Sequence, residues 1–188
     1  MNLGIVQITS ASTKRKKLLV DKIIPKCIEV SNGNYTLVSS HCPILKTAVE
    51  ELGGTFSEYT AWERDMSRKW RQGLETRKED WVCFLADDIL PDDKWHSEMT
   101  EYLSNQPPGQ YGFRLTDENG KRHEFGEDWM QFPENTTQAA HRPLNYDIET
   151  GQIEASLTAY VANCVCHKDV LAKVEPFGLF QLMPDVMW

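Results

Sequence analysis

The chain has 188 residues, of which 28 are acidic and 20 are basic, so its formal net charge is −8. Hydrophobic residues make up 40% and charged residues 26%, and the six Trp, seven Phe and six Tyr exclude a disordered chain. The acidic balance argues against a protein that coats nucleic acid by charge alone, without excluding a local basic groove.

Membrane and secretory signals are not found in the sequence. The longest apolar runs, such as Trp81–Leu85, are far shorter than the ~18 residues of a membrane-spanning helix. No basic leader precedes a long apolar stretch, so no signal peptide is predicted. The five Cys form no CxxC pair, and we therefore expect a cytoplasmic protein without a disulfide framework.

Strand and helix patterns alternate in the first half of the chain. Leu3–Thr9 predicts a buried strand, and capping residues then lead into an apolar-periodic helix reaching Ile28, which Pro25 should kink or split. The next predicted elements are a strand over Tyr35–Ser39, a helix over Ile44–Leu52, a helix over about Glu63–Thr76 and a buried strand over Trp81–Leu85. This alternation predicts a mainly parallel sheet with helices on both faces.

The second half has a different character. Gln110–Thr116 and Lys121–Phe125 flank a turn sequence typical of a hairpin. Phe132–Asp147 lacks periodicity and is predicted to be a long irregular loop. A strand over Ala155–Val165 and a short helix over Lys168–Val174 follow. We predict one α/β domain over residues 1–188, with a mixed, loop-rich second half.

Two neighbouring carboxylates, Asp87 and Asp88, follow the strand Trp81–Leu85. Open α/β sheets place their ligand crevice at the carboxyl ends of the strands. Adjacent carboxylates repel each other unless a cation neutralises them, and Mg²⁺ or Mn²⁺ prefers such oxygen ligands. The alternative is that Asp87 or Asp88 caps a helix that begins near Pro91.

Basic residues are concentrated in two places. The helix over about Glu63–Thr76 carries a basic stripe made of Arg64, Arg68 and Arg71, and an apolar stripe made of Met66, Trp70 and Leu74. The arginines either form a solvated face or bind donor phosphates or an anionic acceptor. Lys14–Lys17, before the first helix, either form a solvated loop or attract phosphate.

Other reactive or aromatic residues have simpler explanations. Cys164, Cys166 and His167 could suggest zinc, but core cysteines fit better because no second ligand pair has suitable spacing. Trp95 and Trp129 could stack on a sugar, although aromatic residues near an acidic motif more often belong to the core.

The order of these segments resembles the GT-A-fold glycosyltransferases, above all their family 2 group. The resemblance rests on WERDMSRKWRQGLETRKEDWVCFL, on FLADDILPDDKW with its acidic motif, and on YVANCVCHKDVLAKVEPFGLF near the end. It implies a single GT-A-like (Rossmann-like) domain with a nucleotide-sugar-binding half over residues 1–91 and an acceptor-side half over residues 92–188.

The resemblance also implies roles for individual residues. Asp88 would hold Mn²⁺ or Mg²⁺ on the diphosphate of a nucleotide-sugar donor, and Asp87 would share the metal or reach the ribose. The residues that would contact the donor are Thr9, Ser10, Lys14, Arg64, Arg68 and Arg71. Asp185, 97 residues after Asp88, would be the base of an inverting transfer, with Asp128 as its rival.

Several alternatives stay open. Ser39–Cys42 stands where the family often has an Asp that binds uracil, so the donor base is not assigned. A nucleotidyltransferase of related fold is a second possibility, although the loop after the first strand lacks glycine, and a non-catalytic nucleotide-binding module is a third. The acceptor could be a saccharide, a protein, a small molecule or a modified DNA base, and the oligomeric state is open.

Overall fold

The computed structural model describes residues 2–61, 66–112, 127–131, 137–141 and 163–172, with backbone only at 67, 127–131, 137–141 and 163. In chain order its elements are β1 Leu3–Ile8, α1 Lys16–Leu18, a π-helical turn Leu19–Ile23, α2 Ile24–Val30, β2 Tyr35–Ser39, α3 Pro43–Glu51, β3 Thr55–Glu58, α4 Met66–Glu75, β4 Trp81–Leu85, α5 Trp95–Ser104, β5 Gln110–Gly112, β6 Glu127–Gln131, β7 Thr137–His141, β8 Asn163–His167 and α6 Lys168–Leu171.

Six strands form a central sheet in the order β3-β2-β1-β4-β8-β5. The four adjacent strands β3, β2, β1 and β4 all run parallel to one another. Strand β8 runs antiparallel to both β4 and β5, so β5 points the same way as β4. The predicted α/β class with a mainly parallel sheet is confirmed.

Helices cover both faces of this sheet because side chains of each strand alternate between them. Leu3 and Ile5 belong to one core cluster, together with residues of α2, α3 and α5. Val6 and Phe84 belong to the other cluster, which packs against α4 and α6. Helices therefore pack on both faces of the sheet, as predicted.

Pro25 lies in a helical segment that runs without a break from Lys16 to Val30. A π-helical turn, Leu19–Ile23, immediately precedes α2, and Pro25 occupies the first turn of α2. Proline has no amide hydrogen and its ring crowds the carbonyl four residues earlier, so a widened turn before it relieves the conflict.

Three sequence predictions were wrong or incomplete. Strand β3, Thr55–Glu58, was not predicted, because its short and half-exposed sequence TFSE has no apolar run. Strand β7, Thr137–His141, lies inside the segment expected to be irregular and pairs with β6. Strand β8 covers Asn163–His167 and therefore ends two residues after the predicted strand. Residues 155–162, the rest of the predicted hairpin and the chain after Ala172 lie outside the described residues.

All five cysteines are buried free thiols, in agreement with the expectation that the chain has no disulfide framework. Burial raises the pKa of Cys27 and of Cys166 to about 12, which keeps both thiols protonated and unreactive. Among the residues with described structure, no helix has both the length and the apolar character needed to cross a membrane.

Gly73 sets the distance between α4 and the sheet. A Cβ atom at this position would lie 2.3 Å from Cγ1 of Val6 and 3.0 Å from Cγ2 of Val38. The absence of a side chain therefore lets α4 lie directly on β1 and β2, and this close packing positions Lys69, one turn earlier.

We predict that Gly73→Ala lowers the free energy of unfolding by about 1–3 kcal/mol, since the new methyl group overpacks the interface. Glu75→Ala on the exposed side of the same helix is the control and should change stability by less than about 0.5 kcal/mol. Urea unfolding followed by circular dichroism measures both, and equal midpoints for the two variants would contradict the packing argument.

Candidate functional site at the carboxyl edge of the sheet

The strand order reverses direction at β1, which has β2 on one side and β4 on the other. Such a switch point opens a crevice beyond the carboxyl ends of the two central strands. Thr9 directly follows β1, and Ala86, Asp87 and Asp88 directly follow β4. The fold therefore brings the two segments together from opposite ends of the first half of the chain.

Hydrogen bonds join these segments. The Thr9 hydroxyl donates to Oδ2 of Asp87 over 2.6 Å. Arg15 donates from Nη1 to Oδ1 of Asp87 over 2.9 Å, and its Nη2 lies 3.1 Å from Oδ2 of Asp88. The side chain of Asp87 is 16% exposed, whereas those of Asp88 and Arg15 are 48% and 51% exposed. Both carboxylates therefore converge on one cation at the rim of the crevice.

A buried polar chain fixes the turn that carries the carboxylates. Gln7, inside β1, donates from Nε2 to the carbonyl of Ala86 over 2.6 Å. Its Oε1 accepts a hydrogen bond of 2.7 Å from the hydroxyl of Tyr35. Burial, with smaller contributions from Cys27 and Asp87, raises the pKa of Tyr35 well above its ordinary value, so its hydroxyl remains a donor. The residue before Asp87 is thus tied to two strands.

Lys69 approaches the same edge from α4. Its side chain is 2% exposed, and its Nζ donates to the carbonyl oxygen of Thr9 over 2.9 Å. The Nζ also lies 5.7 Å from the ring centroid of Tyr59, within reach of a cation–π interaction. Lys69 therefore places a second positive charge behind the loop that follows β1.

The structure brings together three of the predicted site residues, Thr9, Asp87 and Asp88. Ser10 lies next in the loop, where its hydroxyl pairs with that of Ser12 over 2.7 Å. Lys14 is exposed, one residue before Arg15.

Arg68 and Arg71 are exposed on α4, while Lys69 is buried on the sheet side of that helix. Their role in binding a donor stays a prediction. Asp128 lies in β6, of which only the backbone is described, and Arg64 and Asp185 lie outside the described residues.

The capping alternative for the acidic pair is wrong. Helix α5 begins at Trp95, and Lys94 is its flanking residue. Asp92 accepts from the backbone N–H of Lys94 over 2.8 Å, while Asp87 and Asp88 contact Arg15. The acidic pair thus contacts Arg15 at the carboxyl edge of the sheet and does not cap α5.

Sequence reasoning missed three residues that build this edge: Gln7, Arg15 and Lys69. Gln7 had a usable signal, since it is a long polar residue inside an otherwise apolar strand. Arg15 belongs to the basic run Lys14–Lys17, and Lys69 follows Arg68 of the basic stripe. Which basic side chain reaches the carboxyl edge depends on the path of the loop and on the phase of the helix.

The other candidate residues belong to the core. Cys164 and Cys166 are fully buried in the cluster under α4 and α6, and His167 packs edge-on against Trp81 with ring centroids 4.7 Å apart. Trp95 packs against the opposite cluster. Across the described ranges, no group of three or more His, Cys, Asp or Glu side chains could hold a metal ion by itself.

Comparison with known proteins gives a likeness of fold. No protein-family model and no curated protein matches the sequence. The solved structure of S. aureus TarS matches with a TM-score of 0.62 at 9% identity, covering 99% of this chain and 32% of that one. TarS 1-349 in complex with UDP-GlcNAc matches with a TM-score of 0.51 at 12% identity, covering 64% of this chain and 36% of that one.

A second kind of protein has the same fold. CMP:2-keto-3-deoxy-manno-octonic acid synthetase complexed with CTP matches with a TM-score of 0.54 at 14% identity, covering 98% of this chain and 80% of that one. The chain spans 32% to 50% of the length of the TarS chains it matches. These likenesses show that the chain shares the fold of these structures, in agreement with the GT-A-like fold that the resemblance in the sequence implied.

We predict that Tyr35→Phe lowers the free energy of unfolding by about 1–3 kcal/mol, because Oε1 of the buried Gln7 loses its donor. Tyr102→Phe, at a half-buried position on the rim of the same core, is the matched control and should leave stability nearly unchanged. Guanidinium unfolding measured by tryptophan fluorescence tests this, and a Tyr35→Phe variant as stable as the control would contradict the proposed role of the polar chain.

Proposed function

We propose that the chain transfers a sugar from a nucleoside-diphosphate donor to an acceptor hydroxyl, with the donor diphosphate lying at the edge formed by Thr9, Asp87 and Asp88. The observation that carries this proposal is the convergence of both carboxylates on one cation at the switch point. Structures of like fold that hold UDP-GlcNAc or CTP support a nucleotide as the ligand.

The acidic pair fits a divalent metal that is held jointly with a substrate. Mg²⁺ is usually bound through one or two carboxylates together with substrate phosphates and waters. Asp87 and Asp88 supply two such carboxylates, and their oxygens converge on a single cation, the guanidinium of Arg15. A bound Mg²⁺ or Mn²⁺ would neutralise the charge that develops on the departing diphosphate.

The proposed transfer is a single inverting displacement. The acceptor oxygen forms a bond to the anomeric carbon while the bond from that carbon to the diphosphate oxygen breaks, and the electron pair leaves with the diphosphate. A carboxylate takes the acceptor proton. Asp185 and Asp128 are the two proposed bases, in an acceptor-side half over residues 92–188, with residues 1–91 binding the donor.

The acceptor is proposed only as a class. A saccharide, a protein, a small molecule and a modified DNA base all offer the required hydroxyl. The exposed Arg68 and Arg71 favour an acceptor with negative charge, whereas the net charge of −8 opposes a strongly anionic one.

A nucleotidyltransferase is the second candidate, because the match to the CTP-bound synthetase covers 80% of that chain. Here a sugar acid or sugar phosphate oxygen would attack the α-phosphorus of a nucleoside triphosphate and release pyrophosphate. The loop between Thr9 and Arg15 contains no glycine, whereas these enzymes usually carry a glycine-rich loop after the first strand. This difference favours the glycosyltransferase.

A thermal-shift screen of nucleotide sugars with Mn²⁺ or Mg²⁺ tests donor binding. A donor present at 100 times its Kd should stabilise the folded protein by about 2.7 kcal/mol. Asp88→Asn should remove most of this shift and slow release of nucleoside diphosphate by about 100-fold or more, since the metal that would neutralise the departing diphosphate would lose one of its two carboxylate ligands. Glu75→Gln, an exposed acidic residue at the end of α4, is the control and should behave like the wild type.

The products distinguish the candidates. Release of nucleoside diphosphate from a nucleotide sugar supports the glycosyltransferase, and release of pyrophosphate from a nucleoside triphosphate supports the second candidate. A protein that binds nucleotide sugars but releases neither product would be a non-catalytic binding module. Full activity in Asp88→Asn would remove the acidic pair from the reaction.

A further inference from the structure

The acidic pair already has a counter-ion supplied by the chain itself. One edge of the Arg15 guanidinium spans both carboxylates, with nitrogen–oxygen distances of 2.9 Å to Asp87 and 3.1 Å to Asp88. Two adjacent carboxylates without a cation would repel each other, and Asp87 is largely shielded from water. In the free protein, Arg15 therefore neutralises the two carboxylates, as a metal ion would otherwise do.

Arg15 and a metal ion would compete for the same position. An ion held by both carboxylates would need oxygens of Asp87 and Asp88, and the guanidinium already contacts one oxygen of each. Two positive charges at such close range repel each other, most strongly where solvent is partly excluded. Metal binding to the free protein therefore requires Arg15 to leave.

Arg15 is able to leave without disturbing the core. Its side chain is 51% exposed, and it stands just before α1, in the loop that follows β1. Half-exposed ion pairs contribute little to stability and exchange readily. A guanidinium also binds phosphate oxygens in a bidentate manner, so a diphosphate at this edge offers Arg15 an equivalent partner.

We propose that Arg15 moves from the acidic pair to the donor diphosphate and thereby couples metal binding to donor binding. This inference rests on the proposed function. In the free protein Arg15 keeps metal affinity low, and a diphosphate that accepts Arg15 leaves Asp87 and Asp88 open to the metal. Because such coupling is reciprocal, the metal must strengthen nucleotide binding by the same factor.

The test measures Mn²⁺ binding from the electron paramagnetic resonance signal of the free ion, without any nucleotide. Arg15→Gln should bind Mn²⁺ at least about fivefold more tightly than the wild type, the lower end of ordinary coupling between sites. Lys22→Gln removes one positive charge from an exposed position of the neighbouring π-helical turn and should bind like the wild type. Arg15→Lys, which keeps the charge but not the two-pronged contact, should fall between them.

A second measurement examines the coupling. Calorimetric titration with UDP, CDP, GDP and ADP, with and without Mn²⁺, should show that Mn²⁺ strengthens nucleotide binding to the wild type and that Arg15→Gln reduces this effect. Mn²⁺ affinity in Arg15→Gln equal to or below that of Lys22→Gln would overturn the proposal. Nucleotide binding by the wild type in that case would leave the proposed function standing.

Metal binding without nucleotide binding would distinguish a simple cation site from the proposed coupling. Tighter Mn²⁺ binding in Arg15→Gln, with no nucleotide or nucleotide sugar bound by any variant, would identify a cation site that Arg15 occupies. It would overturn the coupling to a donor together with the proposed function. Circular dichroism of each variant confirms that an exposed substitution has not altered the fold.

Discussion

The need to balance two adjacent negative charges at the end of a buried strand organises the carboxyl edge of this protein. Strand β4 is buried along its whole length, so Asp87 emerges from an apolar environment with little water around it. A hydroxyl from the loop after β1 and a guanidinium from the same loop satisfy its two oxygens. The loop and the acidic turn are therefore held as one unit across the switch point.

Close packing of α4 on the sheet supports the loop after β1 and the acidic turn. Gly73 lets α4 rest on Val6 and Val38, and the resulting proximity allows Lys69 to reach the backbone of Thr9 from the other face of the sheet. Gln7 holds the acidic turn from within β1, because it donates a hydrogen bond to the carbonyl of Ala86. Polar groups buried in this way constrain a site when they have hydrogen-bond partners, and the two hydrogen bonds of Gln7 give both its nitrogen and its oxygen a partner.

The sequence predicted those parts of the fold that depend on local pattern. Strands β1, β2 and β4 are short, mostly apolar runs, and the position of the acidic pair followed from β4 alone. Strand β3 was missed because pairing with β2, not composition, makes it a strand. Within the site, a run such as Lys14–Lys17 predicts positive charge near the crevice, but only the path of the folded loop selects Arg15 over its neighbours.

The reversed direction of β8 has a consequence for how this scaffold can diversify. Gly112 at the end of β5 lies opposite Cys164, and Asn163 at the start of β8 lies opposite Leu85, directly before the acidic turn. The chain between these strands thus departs from and returns to the sheet at the edge where Asp87 lies. Residues 113–162 can therefore change in length or sequence through evolution without shifting the strand register, and the acidic turn beside them can stay unchanged.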